Sequence, residues 1–130
     1  MDIKEINRYN ILSLAYLGDS VWEFYVRDYF FKDNLKVEEF NKRVKNFVNA
    51  KSQSLIYKNI FDTLDDELKS ISKRGKNANI KSFAKTCSVT EYRNATAFEV
   101  LIAVLHLTEN REKINQIINN NCRGDINEKE

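Results

Sequence analysis

Two long apolar runs dominate the pattern of this chain. The first, Ile11 to Phe31, has apolar side chains on more than one helical face, including Leu14, Ala15, Leu17, Val21, Trp22, Tyr25, Val26 and Phe30. A helix that is apolar on most sides belongs in the middle of a bundle or on a subunit interface. Asn10 is placed to cap its start. The second run, Ala97 to Leu107 (AFEVLIAVLHL), lies in a helix that Thr90 opens, with Phe98, Leu101, Ile102 and Leu105 inward. Between the two runs, Lys32 to Lys36 reads as a turn. Val37 to Phe61 reads as a helix interrupted near Ala50, with one stripe through Phe40, Val44, Phe47 and Val48 and a second through Leu55, Ile56, Ile60 and Phe61. Asp62 or Thr63 is expected to cap a helix over Leu64 to Arg74, and Gly75 to end it in a left-handed conformation. Lys76 to Thr90 has no clear period and reads as a loop. A last helix spans Arg111 to Asn120 through Ile114, Ile117 and Ile118. Met1 to Arg8 is a polar lead-in, and residues 121–130 form a polar tail. No strand pattern and no internal repeat is visible. The expectation is an all-α helical bundle, one domain over 1–130 with its core at about 10–120.

Composition agrees with that pattern. The chain has no proline and three glycines among its 130 residues, which favours long helices over tight turns. Cys87 and Cys122 form no CxxC pair and read as free thiols in a reducing compartment. The start of the chain lacks the apolar core of a signal peptide, and no apolar run reaches membrane-span length. A soluble, cytoplasmic protein with no membrane partner is expected. The formal charge of +2 decides little, so the local distribution of charge carries more.

Each apolar run carries an isolated acid: Asp19, beside Gly18, in the first and Glu99 in the second. A single acid in a helix most often pairs with a lysine or arginine, or faces water. These two are flanked by large apolar residues, and burying an unpaired charge is expensive. The central expectation is that they converge on a divalent cation, since Mg²⁺ is commonly held by one or two carboxylates plus retained waters. A basic stretch, Lys69 to Arg93, is the second candidate. It holds Lys69, Lys73, Arg74, Lys76, Lys81, Lys85 and Arg93 against Glu91 alone. Such a run is often only a solvated face, but here it covers a helix end and a long loop, suited to a phosphate backbone. Asn77, Asn79, Ser82, Thr86 and Ser88 add neutral donors. Glu23 shares the face of Asp19 and reads first as a salt bridge to Arg27. Tyr16, Trp22 and Tyr25 read as core or dimer packing, and the apolar surplus around Trp22, Tyr25 and Tyr29 marks the expected dimer contact. His106 has no partner in sequence for a metal site.

Taken together, these residues resemble one family. Leu14 to Val21 (LAYLGDSV) resembles the signature helix of the ribonuclease III catalytic domain, and Phe98 to Ile102 (FEVLI) its second acidic helix. Lys73 to Ala78 (KRGKNA) and Tyr92 to Glu99 (YRNATAFE) are similar to two segments of Mini-ribonuclease III, and Ala50 to Gln53 also fits. The likeness runs from about Ile11 to Ile118. It implies a homodimeric ribonuclease III domain without an attached double-stranded-RNA-binding domain. It implies Mg²⁺-dependent hydrolysis of double-stranded RNA, leaving 5′-phosphates, with Mn²⁺ able to substitute. It also implies a natural substrate in the large-subunit ribosomal RNA precursor, with ribosomal proteins on that precursor as further partners. Asp19 and Glu99 match the family's metal-binding catalytic acids. Lys73, Arg74, Lys76, Asn77, Lys81, Lys85 and Arg93 are the expected RNA contacts.

Larger members of the family carry a glutamate at the position of Ala15 and an aspartate at that of Thr96. The Mini branch shares this reduction. It leaves fewer direct ligands, so phosphate oxygens are expected to complete the cation site. Thr96, one turn before Glu99, is placed to hold a water, and Glu23 to support the site from behind. The loss of two acids also keeps open a catalytically silent duplex-RNA or ribosome-binding dimer, and a plain helical dimerisation domain is a third reading.

Overall fold

The computed structural model describes residues 1–78 and 87–122. Seven α-helices and one 3-10 turn make up the described chain: α1 (Ile3–Ile6), α2 (Ile11–Phe31), α3 (Val37–Lys45), α4 (Ala50–Ile60), a 3-10 turn (Phe61–Thr63), α5 (Asp66–Lys76), α6 (Val89–Leu107) and α7 (Arg111–Cys122). The starts of α2, α4, α5 and α6 are fixed by side-chain caps. Asn10 accepts from the backbone N–H groups of Leu12 and Ser13, Asn49 from Ser52 and Asp65 from Leu68. Ser88 and Glu91 form a reciprocal capping box at the head of α6. That cap places the start of α6 at Val89, one residue ahead of the expected Thr90.

Helix α6 is the axis of the bundle. From Asn94 to Leu105 every residue except Glu99 is buried, because α2, α4 and α5 surround it. One core joins α2, α4, α6 and α7 through Trp22, Phe30, Phe98, Leu101 and Ile114. A second joins α1, α2, α5 and α6 through Ile6, Leu14, Ile71, Val100 and Val104. The polar lead-in therefore holds more structure than its composition suggests. Ile6 is wholly buried, and the Met1 amino group donates to the Leu107 carbonyl at 2.7 Å.

Several expectations shift by a turn or less. The Val37–Phe61 helix divides at Asn46–Asn49, where Ser52 and Asn49 side chains donate to the carbonyls of Asn46 and Lys45. Trp22 reaches into this break and donates from Nε1 to the Phe47 carbonyl at 2.7 Å. The expected cap at Asp62 or Thr63 is instead Asp65, because Phe61–Thr63 continues as a tight turn.

Gly75 corrects the reading more sharply. It is not a left-handed helix end but an ordinary helical residue inside α5. Its reason is contact: a Cβ there would lie 2.8 Å from Val100 Cγ2. Gly18 is closer still, since a Cβ would lie 1.7 Å from the backbone oxygen of Glu99. The two glycines thus let α2 and α5 press directly onto α6. The positive φ angles fall on Asn34 and Glu109, in the α2–α3 and α6–α7 turns.

Gly18→Ala is expected to destabilise the fold by about 3 kcal/mol or more, since the new methyl meets rigid backbone on α6. Gly75→Ala meets the end of a valine side chain and is expected to cost less, about 1–2 kcal/mol. Urea unfolding of the two variants checks this order; equal costs would mean that α2 and α6 separate freely.

Candidate active site

Asp19 follows Gly18 on α2, and Glu99 lies on the outward-facing edge of α6 at the same level. The glycine contact brings the two acids within range of one another, close enough for Asp19 to act on the Glu99 carboxyl. Burial, first, and then the charge and hydrogen bond of Asp19 push the Glu99 carboxyl up to about 9. Asp19 is itself exposed and opens onto a groove along α2 of about 530 Å³, which Ser13, Tyr16, Ser20 and Phe24 also line.

Among the described residues no third acid, cysteine or histidine joins this pair. The donor set is two carboxylates with room on the solvent side. That suits a hard divalent cation that keeps much of its own water shell. The raised Glu99 carboxyl is the electrostatic mark of the same fit. Two neighbouring anions need a positive partner, and a proton takes that place when no metal does.

The neighbouring residues hold the pair rather than add to it. Ala15 is buried in the second core. Thr96 is buried, and its hydroxyl donates to the Tyr92 carbonyl at 3.0 Å, so its O–H is already engaged along its own helix. Glu23 forms an ion pair with Arg27 one turn on, the arrangement expected from their spacing.

The basic stretch divides into two roles. Arg74 donates to both the carbonyl and the side chain of Asn7, at 3.0 and 3.1 Å, and so ties α5 to the chain after α1. Arg93 donates to the Lys76 carbonyl at 3.1 Å and closes the end of α5 onto α6. Lys73 and Lys69 lie over the Phe61 ring, at 5.3 and 5.4 Å from its centroid. Asn77 is the exposed cap of α5. Lys76 and Thr96 line one narrow slot, which sets the basic end of α5 within a turn of Glu99. Lys81 and Lys85, with Asn79, Ser82 and Thr86, lie outside the described residues.

Trp22 and Tyr25 are not where the dimer expectation put them. Trp22 is wholly buried in its own chain, edge-on to Phe98 at 4.8 Å between ring centroids. Tyr25 is buried and its hydroxyl accepts from Arg111. Tyr29 is half-buried against Lys32 and Phe30. The most exposed apolar residues on α2 are Tyr16, Phe24 and Phe31, at 83%, 62% and 71% exposure. Spacings of seven and eight residues set these three along one face, a signal hidden because nearly every face of this helix carries apolar residues. His106 is exposed, while Cys122 is wholly buried. No described helix is long and apolar enough to cross a membrane.

The sign of the pH effect at Glu99 follows from its shift. With the folded-state value near 9 and the ordinary value at 4.5, the folded protein binds more protons than the unfolded chain between those limits. Stability therefore falls as pH rises through that window. In chelating buffer, Glu99→Gln is expected to flatten this slope and to exceed the parent at pH 8 by about 2 kcal/mol. Denaturant titrations from pH 5 to 9 read it; parallel profiles would show that no strained carboxyl exists.

Comparison with known proteins places this geometry in a lineage. A family model described as the ribonuclease III domain matches residues 12–110. A Mini-ribonuclease 3-like protein of Ilyobacter polytropus is 50% identical over 109 residues, covering 84% of this chain and 86% of the relative. A Mini-ribonuclease 3 of Enterococcus faecalis is 36% identical over 132 residues, covering 98% of this chain and 100% of the relative. A crystal structure of a Fusobacterium nucleatum protein superposes with a TM-score of 0.86 at 45% identity, covering 93% of this chain and 98% of that one. This chain belongs to the ribonuclease III family of endoribonucleases, in its Mini-ribonuclease 3 branch.

Proposed function

We propose that this protein hydrolyses double-stranded RNA with Asp19 and Glu99 as its catalytic acids, holding Mg²⁺ or, in its place, Mn²⁺. The observation that carries this reading is the pair of acids that the Gly18 contact seats side by side where α2 crosses α6. A divalent ion held there supplies an activated water and balances charge on the phosphoryl oxygens. Asp19, on the exposed side, meets the scissile phosphate region. Glu99, half-buried on α6, fixes the position of the site from the packed axis of the bundle, its backbone lying directly against Gly18. Thr96, already bonded to Tyr92, shapes the floor beside Glu99, and Glu23 with Arg27 borders the groove. Lys73, Lys76 and Asn77 bring the basic end of α5 to the duplex backbone. Arg74 and Arg93 hold that end in place, and Lys81 and Lys85 add positive charge to the sequence that follows it. A-form RNA is recognised largely by shape and backbone, so modest sequence preference and steep salt dependence are expected.

The functional unit in this reading is a homodimer formed through the outward face of α2. Tyr16, Phe24 and Phe31 supply the apolar contact, and a two-fold pairing presents both acid pairs to one duplex. The likeness to Mini-ribonuclease III supports the large-subunit ribosomal RNA precursor as substrate, in the cytoplasm and with ribosomal proteins already on it. The reduction at Ala15 and Thr96 favours a second reading, a duplex-binding dimer without catalysis.

Asp19→Asn and Glu99→Gln are each expected to lower cleavage of duplex RNA in Mg²⁺ by at least about a hundredfold while duplex retention persists. Parental rates in both variants would remove the acid pair from the chemistry; a parent that binds duplex but never cleaves, in Mg²⁺ or Mn²⁺, would favour the silent dimer. Phe24→Glu is expected to convert the protein to monomers in sedimentation velocity and to lower cleavage with it. A Phe24→Glu protein that sediments as the parent does would move the interface to another face.

A further inference from the structure

A third carboxylate stands beside the acid pair without joining it. Glu23 lies one turn beyond Asp19 on the same face of α2, and Arg27 one turn beyond Glu23. Asp19, Glu23 and Arg27 are the charged residues that line the groove along this helix. Arg27 donates from Nη2 to Glu23 Oε2, and the two side chains are 61% and 39% exposed. An exposed pair at this spacing is commonly only a weak surface contact. Its place next to a cation site gives this one a further consequence.

Residues four apart on a helix have their Cβ atoms about 5–6 Å apart. Helical side chains also lean toward the N-terminus of their helix. An unrestrained Glu23 therefore leans toward Asp19, and its longer side chain reaches a cation that Asp19 holds. Arg27 leans the same way, onto Glu23, and meets its carboxylate there. The guanidinium is always charged, so this partner is not lost to a change of pH. The contact lies within one helix and needs no second copy of the chain. No set of three metal-binding side chains forms among the described residues, so Glu23 stands outside the pair in this fold.

The number of carboxylates matters in two ways. Sites with more charged oxygen ligands bind hard divalent ions more tightly. Each added carboxylate also fills a coordination position and sets a negative charge beside the place a phosphate oxygen is to take. Two acids leave positions open for the substrate, and a third closes one of them. We propose that Arg27 is a positioning residue that withholds Glu23 from the cation site of Asp19 and Glu99, keeping that site weak at rest and open to an RNA phosphate. This role rests on the acid-pair reading and adds to it the residue that limits the carboxylates to two. Glu38, on α3, shares a second hollow with Arg27 and supplies a control of the same charge.

Mn²⁺ binding by the full chain without RNA, read from the electron paramagnetic resonance signal of the free ion, tests this role. Arg27→Gln is expected to bind Mn²⁺ at least about tenfold more tightly than the parent. Glu23→Gln alone is expected to change affinity by less than about twofold, since Arg27 already holds that carboxylate. The double variant Arg27→Gln with Glu23→Gln is expected to return to within about twofold of the parent. Arg27→Lys, which keeps the ion pair, and Glu38→Gln are both expected to match the parent. Charges acting only through space would instead shift affinity additively, with Glu23→Gln weakening binding equally with and without Arg27. That additive pattern overturns the role, and so does parental affinity or no binding in Arg27→Gln. Both side chains are partly exposed, so the variants are expected to keep the helical circular dichroism of the parent; Arg27→Met repeats the test where Arg27→Gln does not. Asp19→Asn in the Arg27→Gln background separates the two readings. Undiminished Mn²⁺ binding there overturns the acid pair and this role together. Binding that needs Asp19 but is no tighter in Arg27→Gln than in the parent overturns the role of Arg27 alone.

Discussion

Backbone meets backbone where α2 crosses α6 at Gly18, and the rest of the molecule is arranged around that crossing. Helices with ordinary side chains at the contact keep their axes about 8–10 Å apart. Here no side chain stands between the chains, and the carbonyl of Glu99 occupies the space a Cβ would need. Two consequences follow from one missing methyl group. The acids on either side of the crossing come within reach of one another, and each is carried by a helix whose inner face is packed into the cores. Gly75 repeats the device on α5, whose basic end is thereby drawn against the same axial helix.

Holding two carboxyl groups together works against stability. Glu99 is half-buried, and its preference for the protonated form shows how poorly the fold by itself tolerates the second negative charge. That tension is what a cation site requires. A pair of acids already satisfied by a lysine or arginine would have nothing to offer a metal. Proteins commonly concentrate such strain where function needs it and offset it elsewhere. The offset here is the tightly packed pair of cores, with Trp22, Phe98 and Leu101 on one side of α6 and Ile6, Ile71 and Val104 on the other.

The arginines show how positive charge can serve the site indirectly. Arg74 and Arg93 spend their guanidinium groups on backbone carbonyls of Asn7 and Lys76. They fix the terminal turn of α5, which leaves the lysines there to project. A basic stretch is thus part scaffold and part surface. A single count of charges along the chain merges the two, because a guanidinium bound to a carbonyl and one facing solvent look the same in sequence.

The sequence by itself determined the helices and their faces. Asn10, the LGD segment and the long stripe through Phe98 and Leu105 were legible because caps and periodicity act over a few residues. The acids stood out for the same reason, each a lone charge in an apolar run. Its resemblance to the ribonuclease III family was likewise carried by short ordered segments, and the match over residues 12–110 bears it out. Tertiary structure decided what depends on a second element. Gly75 looks like a helix terminator until Val100 is seen against it. Trp22 looks like an interface residue until Phe47 and Phe98 enclose it. Asn94 looks like any helical polar residue until Ser54 on α4 is seen taking its amide. Local sequence fixes which face of a helix is apolar, but the partner that covers that face comes from far along the chain, and only packing in three dimensions selects it.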